Sequence, residues 1–511
     1  MTTNSDELTL GAISIPHNYE YADAAARLAV VTLPDKAVGM LALQADKGSL
    51  WRVRQVSPCI IWERVSGEDE TEAAANYVID HVNGDDDTGN GSSSYPWKSF
   101  RGLLTIGRKI CHRTYVEVKA SDAYDYMPPR NHFEAGGGSL IIDASGEDEV
   151  VLAGPFTATA VNGVGDAGVW GVPYATDITV AGESWTPDEY HSRHIRFENG
   201  AFQGHLVPIL KNTGDTLRTH QDAYGWAVGF EFSIVREPVT VTVSHAIEWS
   251  SNRADNSEEF LFVAGIRFVA AGVNFGERAF KLRNINALFS FCSLVRSDVG
   301  EVPMIMENSS IQMWQAPAGT FANTALNSIW SYGLFVSPNN GSPSTGGRDI
   351  ELFGYRNEIG MVCLRGKITS MSAEGSYIGF SLIGGFENQG QSTNIIDQCF
   401  YEQIGYADRA FLCHDGYTYV LSAWIDGTAR AISVRNKAGC RLDWLKGANI
   451  TEDYAAEVSA GGRIRRLGSN VSIVGAVGAV EFSFNSGTHA TWPAAGPPGY
   501  TDGAGSWVTT E

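Results

Sequence analysis

The phrase Glu277-Arg-Ala-Phe-Lys-Leu-Arg-Asn returns down the second half of the chain. It recurs as Glu301-Val-Pro-Met-Ile-Met-Glu-Asn, Ser331-Tyr-Gly-Leu-Phe-Val-Ser-Pro and Glu358-Ile-Gly-Met-Val-Cys-Leu-Arg. It then continues as Tyr377-Ile-Gly-Phe-Ser-Leu-Ile-Gly, Asp408-Arg-Ala-Phe-Leu-Cys-His-Asp and Ala429-Arg-Ala-Ile-Ser-Val-Arg-Asn. A small residue or Pro stands third each time (Ala279, Pro303, Gly333, Gly360, Gly379, Ala410, Ala431), and an apolar-rich stretch follows. Self-similarity at this period is the mark of stacked repeats.

Phe280/Leu282, Met304/Met306, Leu334/Val336, Met361/Cys363, Phe380/Leu382, Phe411/Cys413 and Ile432/Val434 alternate with their neighbours at period two, the spacing of a strand. A second phrase opens short runs at Asn284-Ile285, Ser310-Ile311, Asp349-Ile350, Lys367-Ile368 and Asn394-Ile395. Two or three short strands per unit, joined by Gly/Asn/Ser turns of uneven length, predict an all-β chain built as a parallel β-helix. An antiparallel sandwich also has short, turn-punctuated strands, but it gives no reason for one phrase to recur.

At 511 residues the chain exceeds one compact core. Its 56 glycines and 19% charged residues suit a β-rich fold with many turns. A formal net charge of −21 argues against nucleic acid or an anionic bilayer as partner. The basic cluster Arg463-Ile-Arg-Arg reads as a solvated turn. Seven cysteines are scattered without C-x-x-C spacing, so neither disulfides nor a thiolate metal site is expected; Cys363 and Cys413 take inward positions. The first residues show no signal peptide, and no apolar run has the length of a membrane span, so no membrane insertion is expected. No P-loop, GxSxG, HExxH or dinucleotide motif is present, and no cofactor is expected.

Five regions follow. Residues 1–70 form a small N-terminal domain, with a helical pattern from Tyr21 and strands at Gly39–Gln44, Ser49–Arg54 and Cys59–Val65. Residues 76–170 hold a capping segment and the first coils. Residues 171–245 form an inserted small β-domain, with hairpin strands near Arg196, Pro208 and Gly229. Residues 246–465 hold the main parallel coils, and 466–511 a Gly/Ala/Pro/Trp-rich cap or tip. Acidic residues at Asp85-Asp-Asp invite a calcium-loop reading, but the twelfth position of such a loop is Pro96. Shaping a loop is the better role for them, with Trp97, Phe100 and Leu104 plugging the end of the coils.

The run Gly84-Asp-Asp-Asp-Thr-Gly-Asn-Gly, then Tyr95-Pro-Trp-Lys-Ser-Phe, a helix and Thr114-Tyr-Val-Glu-Val resembles the opening of pectate-lyase-like β-helices in bacteriophage tailspikes and related virion proteins. The first 65 residues resemble the small domain that precedes such helices. The two stretches cover about a quarter of the chain. The resemblance implies a right-handed parallel β-helix, a homotrimer, attachment to other virion proteins through the N-terminal domain, location on the virion, and binding of host surface polysaccharide.

Candidate chemistry sits in the phrase itself, whose first position is a carboxylate at Glu277, Glu301, Glu358 and Asp408. Neighbouring coils lie about 4.8 Å apart, so Glu277 and Glu301 should stack. Retaining glycosidases hold their carboxyls about 5–5.5 Å apart and inverting ones about 6.5–9.5 Å. Against this, a carboxylate entering a strand also caps backbone N–H groups or pairs with Arg278, Arg409 or Arg430. Glu351, Glu374 and Asp397 are also 23 residues apart, but they occupy different positions in the phrase's register. Trp314, Trp330, Tyr355, Tyr377 and Trp424 punctuate the coils as candidate sugar-stacking rings. Three functions remain open: an adhesin or fibre without catalysis, a polysaccharide depolymerase, and a purely architectural decoration of capsid or baseplate.

Overall fold

A computed structural model describes residues 75–296 nearly without a break, short of 107–108, 134–137, 165–174, 221–226, 252–259 and 273–278. Elsewhere the described residues are chiefly the strands, and 313–333 and 338–349 are the largest stretches outside them. The chain is mostly β. Two large sheets, of 23 and 13 strands, are parallel through nearly all their length and do not close on themselves. Among the described residues, no helix is long and apolar enough to cross a membrane.

The parallel pairing follows one rule over its central span: each strand pairs with the strand three further on. Phe280–Arg283, Asn286–Ser290 and Cys292–Arg296 make one unit, and Met304–Glu307, Ser310–Gln312 and Leu334–Ser337 the next. Their pairs are Phe280 with Met304, Asn286 with Ser310 and Cys292 with Leu334. First strands build the smaller sheet, while second and third strands build the larger. In Tyr417–Asp426 and Gly439–Ala448 the second and third strands run together as ten-residue strands.

Period-two alternation sends one side of each strand inward. In the smaller sheet Phe280, Met304, Ile350, Ile368, Phe386, Phe411 and Ile432 follow one another in register, and all are buried. Stacking like residues at each step buries apolar surface along the whole ladder at about 25 cal/mol per Å², while the pairing satisfies the backbone.

The recurring phrase does not stay on one sheet. The strands beginning at Phe280, Met304, Arg409 and Arg430 are first strands, whereas those at Leu334, Val362 and Leu382 are third strands of the larger sheet. Similarly, Ser310 opens a second strand but Ile350 and Ile368 open first strands. A small residue before an alternating run suits the entry to any strand. The phrase therefore marks strands without saying which column they join.

Two other boundaries move. The inserted antiparallel sheet of seven strands opens at Val150–Thr157 and ends at Glu231–Arg236. It thus includes residues that the sequence assigned to the first coils. Val239–Val243, inside the expected insert, pairs in parallel with Ile266–Ala270. At the start of the ladder, Trp97 and Phe100 are buried, but Leu103 fills the plug and Leu104 is 37% exposed. The reason is the helix type: Phe100–Thr105 is a 3₁₀ turn, whose three-residue repeat aligns Phe100 with Leu103. Gly102 is required there, because a Cβ would lie 2.1 Å from the Trp97 ring. Asp85 spends its carboxylate on the N–H groups of Asp87 and Thr88, and Asp86 accepts from Ser99 N at 2.9 Å.

The N-terminal strands fall close to the sequence reading, at Leu41–Gln44, Ser49–Gln55 and Ile61–Ser66. Arg27 is buried over the Trp51 ring at 3.7 Å from its centroid. Most of the expected helix around it lies outside the described residues.

Candidate functional site

The strand Tyr417–Asp426 turns Thr418 and Val420 inward, where both are fully buried, and so turns Tyr417 and Tyr419 outward. Parallel register then lines up partners from neighbouring strands. Tyr419 pairs with Arg441, which pairs with Arg465; Tyr417 pairs with Gly439, which pairs with Arg463. The basic cluster is therefore a strand, Arg463–Arg466, and not a solvated turn. Its Ile464 is buried at 2% exposure while Arg463 is exposed. Alternation explains this: an Arg-Ile-Arg run fits a strand with one wet side.

The Tyr417, Tyr419 and Arg441 side chains touch in sequence. The rings of Tyr417 and Tyr419 lie 4.9 Å apart at 54°. Arg441 Cζ stands 4.9 Å from the Tyr419 ring centroid, and Arg441 Nη1 donates to Tyr419 Oη at 3.0 Å. Gly439 gives the Tyr417 ring its place, since a Cβ there would meet the ring at 2.4 Å. Leu421 and Asp443 are exposed further along the two strands. The result is a partly exposed face of two tyrosines, two arginines, an aliphatic residue and a carboxylate. Rings of this kind cover the C–H faces of a sugar, and the polar groups bond its hydroxyls.

Two predicted residues join the same column by backbone register. Glu358 pairs with Tyr377, Tyr377 with Ile395, and Ile395 with Tyr419. On its other side Glu358 pairs with Ser310, in the larger sheet. The strands that follow Glu277, Glu301 and Asp408 belong to the smaller sheet, whereas Glu358 opens a strand of the larger one. Glu277, Glu301, Asp408, Trp314, Trp330 and Tyr355 themselves lie outside the described residues.

Trp424 is on the outward side of its strand but is only 9% exposed, so it offers no open ring to a sugar. The inserted sheet reaches this part of the ladder: Arg218 donates to Asp426 at 2.9 Å, two residues from Trp424, while also holding both oxygens of Asp177. The same seam runs back to earlier units. Leu206 and Val235 of the insert pack on Phe291, and the His194 ring meets Phe291 edge-on at 4.7 Å. Glu237, fully buried, accepts a hydrogen bond from Ser293 Oγ. Burial pushes the Arg193 and Arg267 guanidiniums below their ordinary range, Arg267 to about 10, and the Glu237 charge opposes that in both.

A second carboxylate arrangement went unread in the sequence. Glu351, Thr369 and Glu387 are consecutive partners in the smaller sheet, and all three are nearly enclosed. Gln389 Nε2 donates to Glu387 Oε1 at 2.7 Å. Two pairing steps put the Glu351 and Glu387 backbones about 9.6 Å apart. Their 36-residue separation spans two units of 18 residues each, and Thr369 stands at the step between, so no carboxylate recurs at the single-unit spacing. Among the described residues, no group of three or more His, Cys, Asp or Glu is arranged to hold a metal.

No family model matches the chain, and no curated protein matches it. A solved structure described as the complex of XylC with xylose aligns over 77% of this chain and 70% of that one, at 8% identity and a TM-score of 0.21. A likeness at that score carries no argument about fold or function.

Proposed function

We propose that this chain is a phage virion protein of tailspike or fibre type that attaches to a host cell-surface glycan. In this reading the three-strand units wind about one axis as a right-handed parallel β-helix, three copies stand side by side, and the N-terminal domain joins other virion proteins. Support for the winding comes from the rule that each strand pairs with the third strand after it. Support for the kinship comes from the Gly84–Phe100 run and the small domain before it. The observation that carries attachment is the outward face of Tyr417, Tyr419, Arg441 and Arg463, where aromatic and hydrogen-bonding groups share one wet surface. The test is retention of the purified chain on immobilised host surface polysaccharide, with Tyr419→Ala weakening it at least tenfold. Retention unaffected by that change removes the face from the reading. Labelling intact particles with an antibody tests the location: if this face is covered by other virion proteins, the purely architectural role replaces attachment.

A second reading, a polysaccharide depolymerase, draws on Glu351 and Glu387. Their backbone spacing is compatible with the carboxyl separation of about 6.5–9.5 Å used by inverting glycosidases. New reducing ends released by the wild type and abolished by Glu387→Gln, with binding kept, would support it.

A further inference from the structure

We infer that the glycan bound at the Tyr417/Tyr419 face is anionic, a polysaccharide bearing carboxylate or phosphate groups, and that Arg441 and Arg463 read its charge. This rests on the attachment reading above and adds the substrate class. The chain carries 58 acidic residues against 37 basic ones. Its overall field therefore repels a polyanion, and any such ligand must be met by a local concentration of cations. That concentration occurs here, where the backbone positions of Arg441, Arg463 and Arg465 fall on two neighbouring strands of the larger sheet. Arg441 is held in place: its guanidinium stands over the Tyr419 ring and donates to the phenol oxygen. Its Nε–H is buried and has no hydrogen-bond partner among the described residues.

A guanidinium fixed in this way has lost much of its conformational entropy before ligand arrives, and its remaining N–H groups match the two oxygens of a carboxylate or phosphate. Arg463 is exposed one strand further on, in register with the glycine beneath the Tyr417 ring. The face thus alternates a ring for the sugar's apolar side with a cation for its charged substituent. Asp443, exposed on the Arg441 strand, supplies an acceptor for hydroxyl groups and disfavours an acid at that end. A neutral sugar would accept single hydrogen bonds from the arginines, whereas an anionic substituent also gains their charge.

The test uses the full-length protein on surfaces carrying polygalacturonate, the same polymer after carboxyl reduction, a polysialate, and a phosphodiester-linked glycan. At least one anionic polymer should bind more than tenfold tighter than the carboxyl-reduced polymer, weakening as salt rises. Arg463→Ala and Arg463→Glu, at an exposed position, should cost roughly tenfold and more than tenfold on that polymer. Arg441→Lys, which keeps the charge and loses the fork, should fall between wild type and Arg463→Glu. Which polymers respond separates carboxylate from phosphate as the charge read. Equal binding of charged and neutral polymers, or binding indifferent to the arginine changes, overturns the anionic assignment and leaves attachment standing. Failure to retain any of these polymers or any native host polysaccharide overturns both.

Discussion

Arg218 Nη1 lies 2.9 Å from Asp426 Oδ2, joining the inserted antiparallel sheet to the ladder across 208 residues of sequence. The guanidinium is shared, for its Nε and Nη2 are bound to Asp177 at 2.8 and 2.9 Å. Only 13% of the Arg218 side chain and 12% of the Asp426 side chain are exposed. Removing Arg218 leaves two carboxylates facing each other in a poorly hydrated seam. Arg218→Ala should therefore cost about 2–3 kcal/mol, below the range for a fully buried pair because some water reaches it. Hydrogen exchange should show the loss first in Leu206–Asn212 and Thr216–His220, and unchanged protection there would refute the role of this contact.

Glu237 anchors the other end of the seam. Replacing it by Ala removes the opposing charge beside buried Arg193 and leaves buried Arg267 only that of Asp122, at an expected cost of about 3–5 kcal/mol. Ser293→Ala removes one hydrogen bond to that carboxylate and should cost about 1.5–3 kcal/mol. Chemical denaturation of the two variants checks the order; equal losses would mean that the arginines are satisfied without Glu237.

Acid should loosen the same region in a defined window. Hydrogen bonds from Arg236, one at 2.8 Å, hold the Asp122 carboxyl below its ordinary 3.8. A depressed carboxyl stabilises the fold above its unfolded value, and that stabilisation is lost as pH falls through the folded value. The stability gap between wild type and Asp122→Asn should be constant above about pH 5 and shrink below 3.8. Melting curves from pH 2.5 to 7 test this, and a gap that widened in acid would be incompatible with it.

Gly439→Ala probes the binding face without touching a charge. The added Cβ would lie 2.4 Å from the Tyr417 ring, which must swing away. Affinity for the retained polysaccharide should drop about tenfold while the melting temperature changes by only a few degrees. Binding at the wild-type level would show that Tyr417 takes no part.

Strands were more legible than neighbours. Alternation in Phe280/Leu282 or Phe411/Cys413 marks an inward side that the ladder keeps, and Cys413 is fully buried. The N-terminal strands are legible for the same reason, through apolar runs bounded by turns. Glu358 and Tyr377 were singled out separately, for charge and for aromatic surface, and they prove to be register partners. Glu387 escaped because it precedes Asn and Gln in an unremarkable stretch, and its relation to Glu351 passes through Thr369. Arg463 reads as a turn residue in the sequence because a short basic run looks the same in a turn as on the wet side of a strand. Trp424 shows the opposite case: its place on the strand is outward, yet it is only 9% exposed, two residues from the Asp426 that Arg218 of the insert holds.

By itself the sequence determined that this is a β protein of repeated short strands, because side-chain alternation is a local property that eight residues can display. The tertiary structure alone decided which strands are partners, and with them the company of Tyr419, Arg441 and Arg463. Parallel pairing joins segments across turns of unequal length, so register is set by long-range burial of one whole column upon the next. A single stretch of chain carries no record of that.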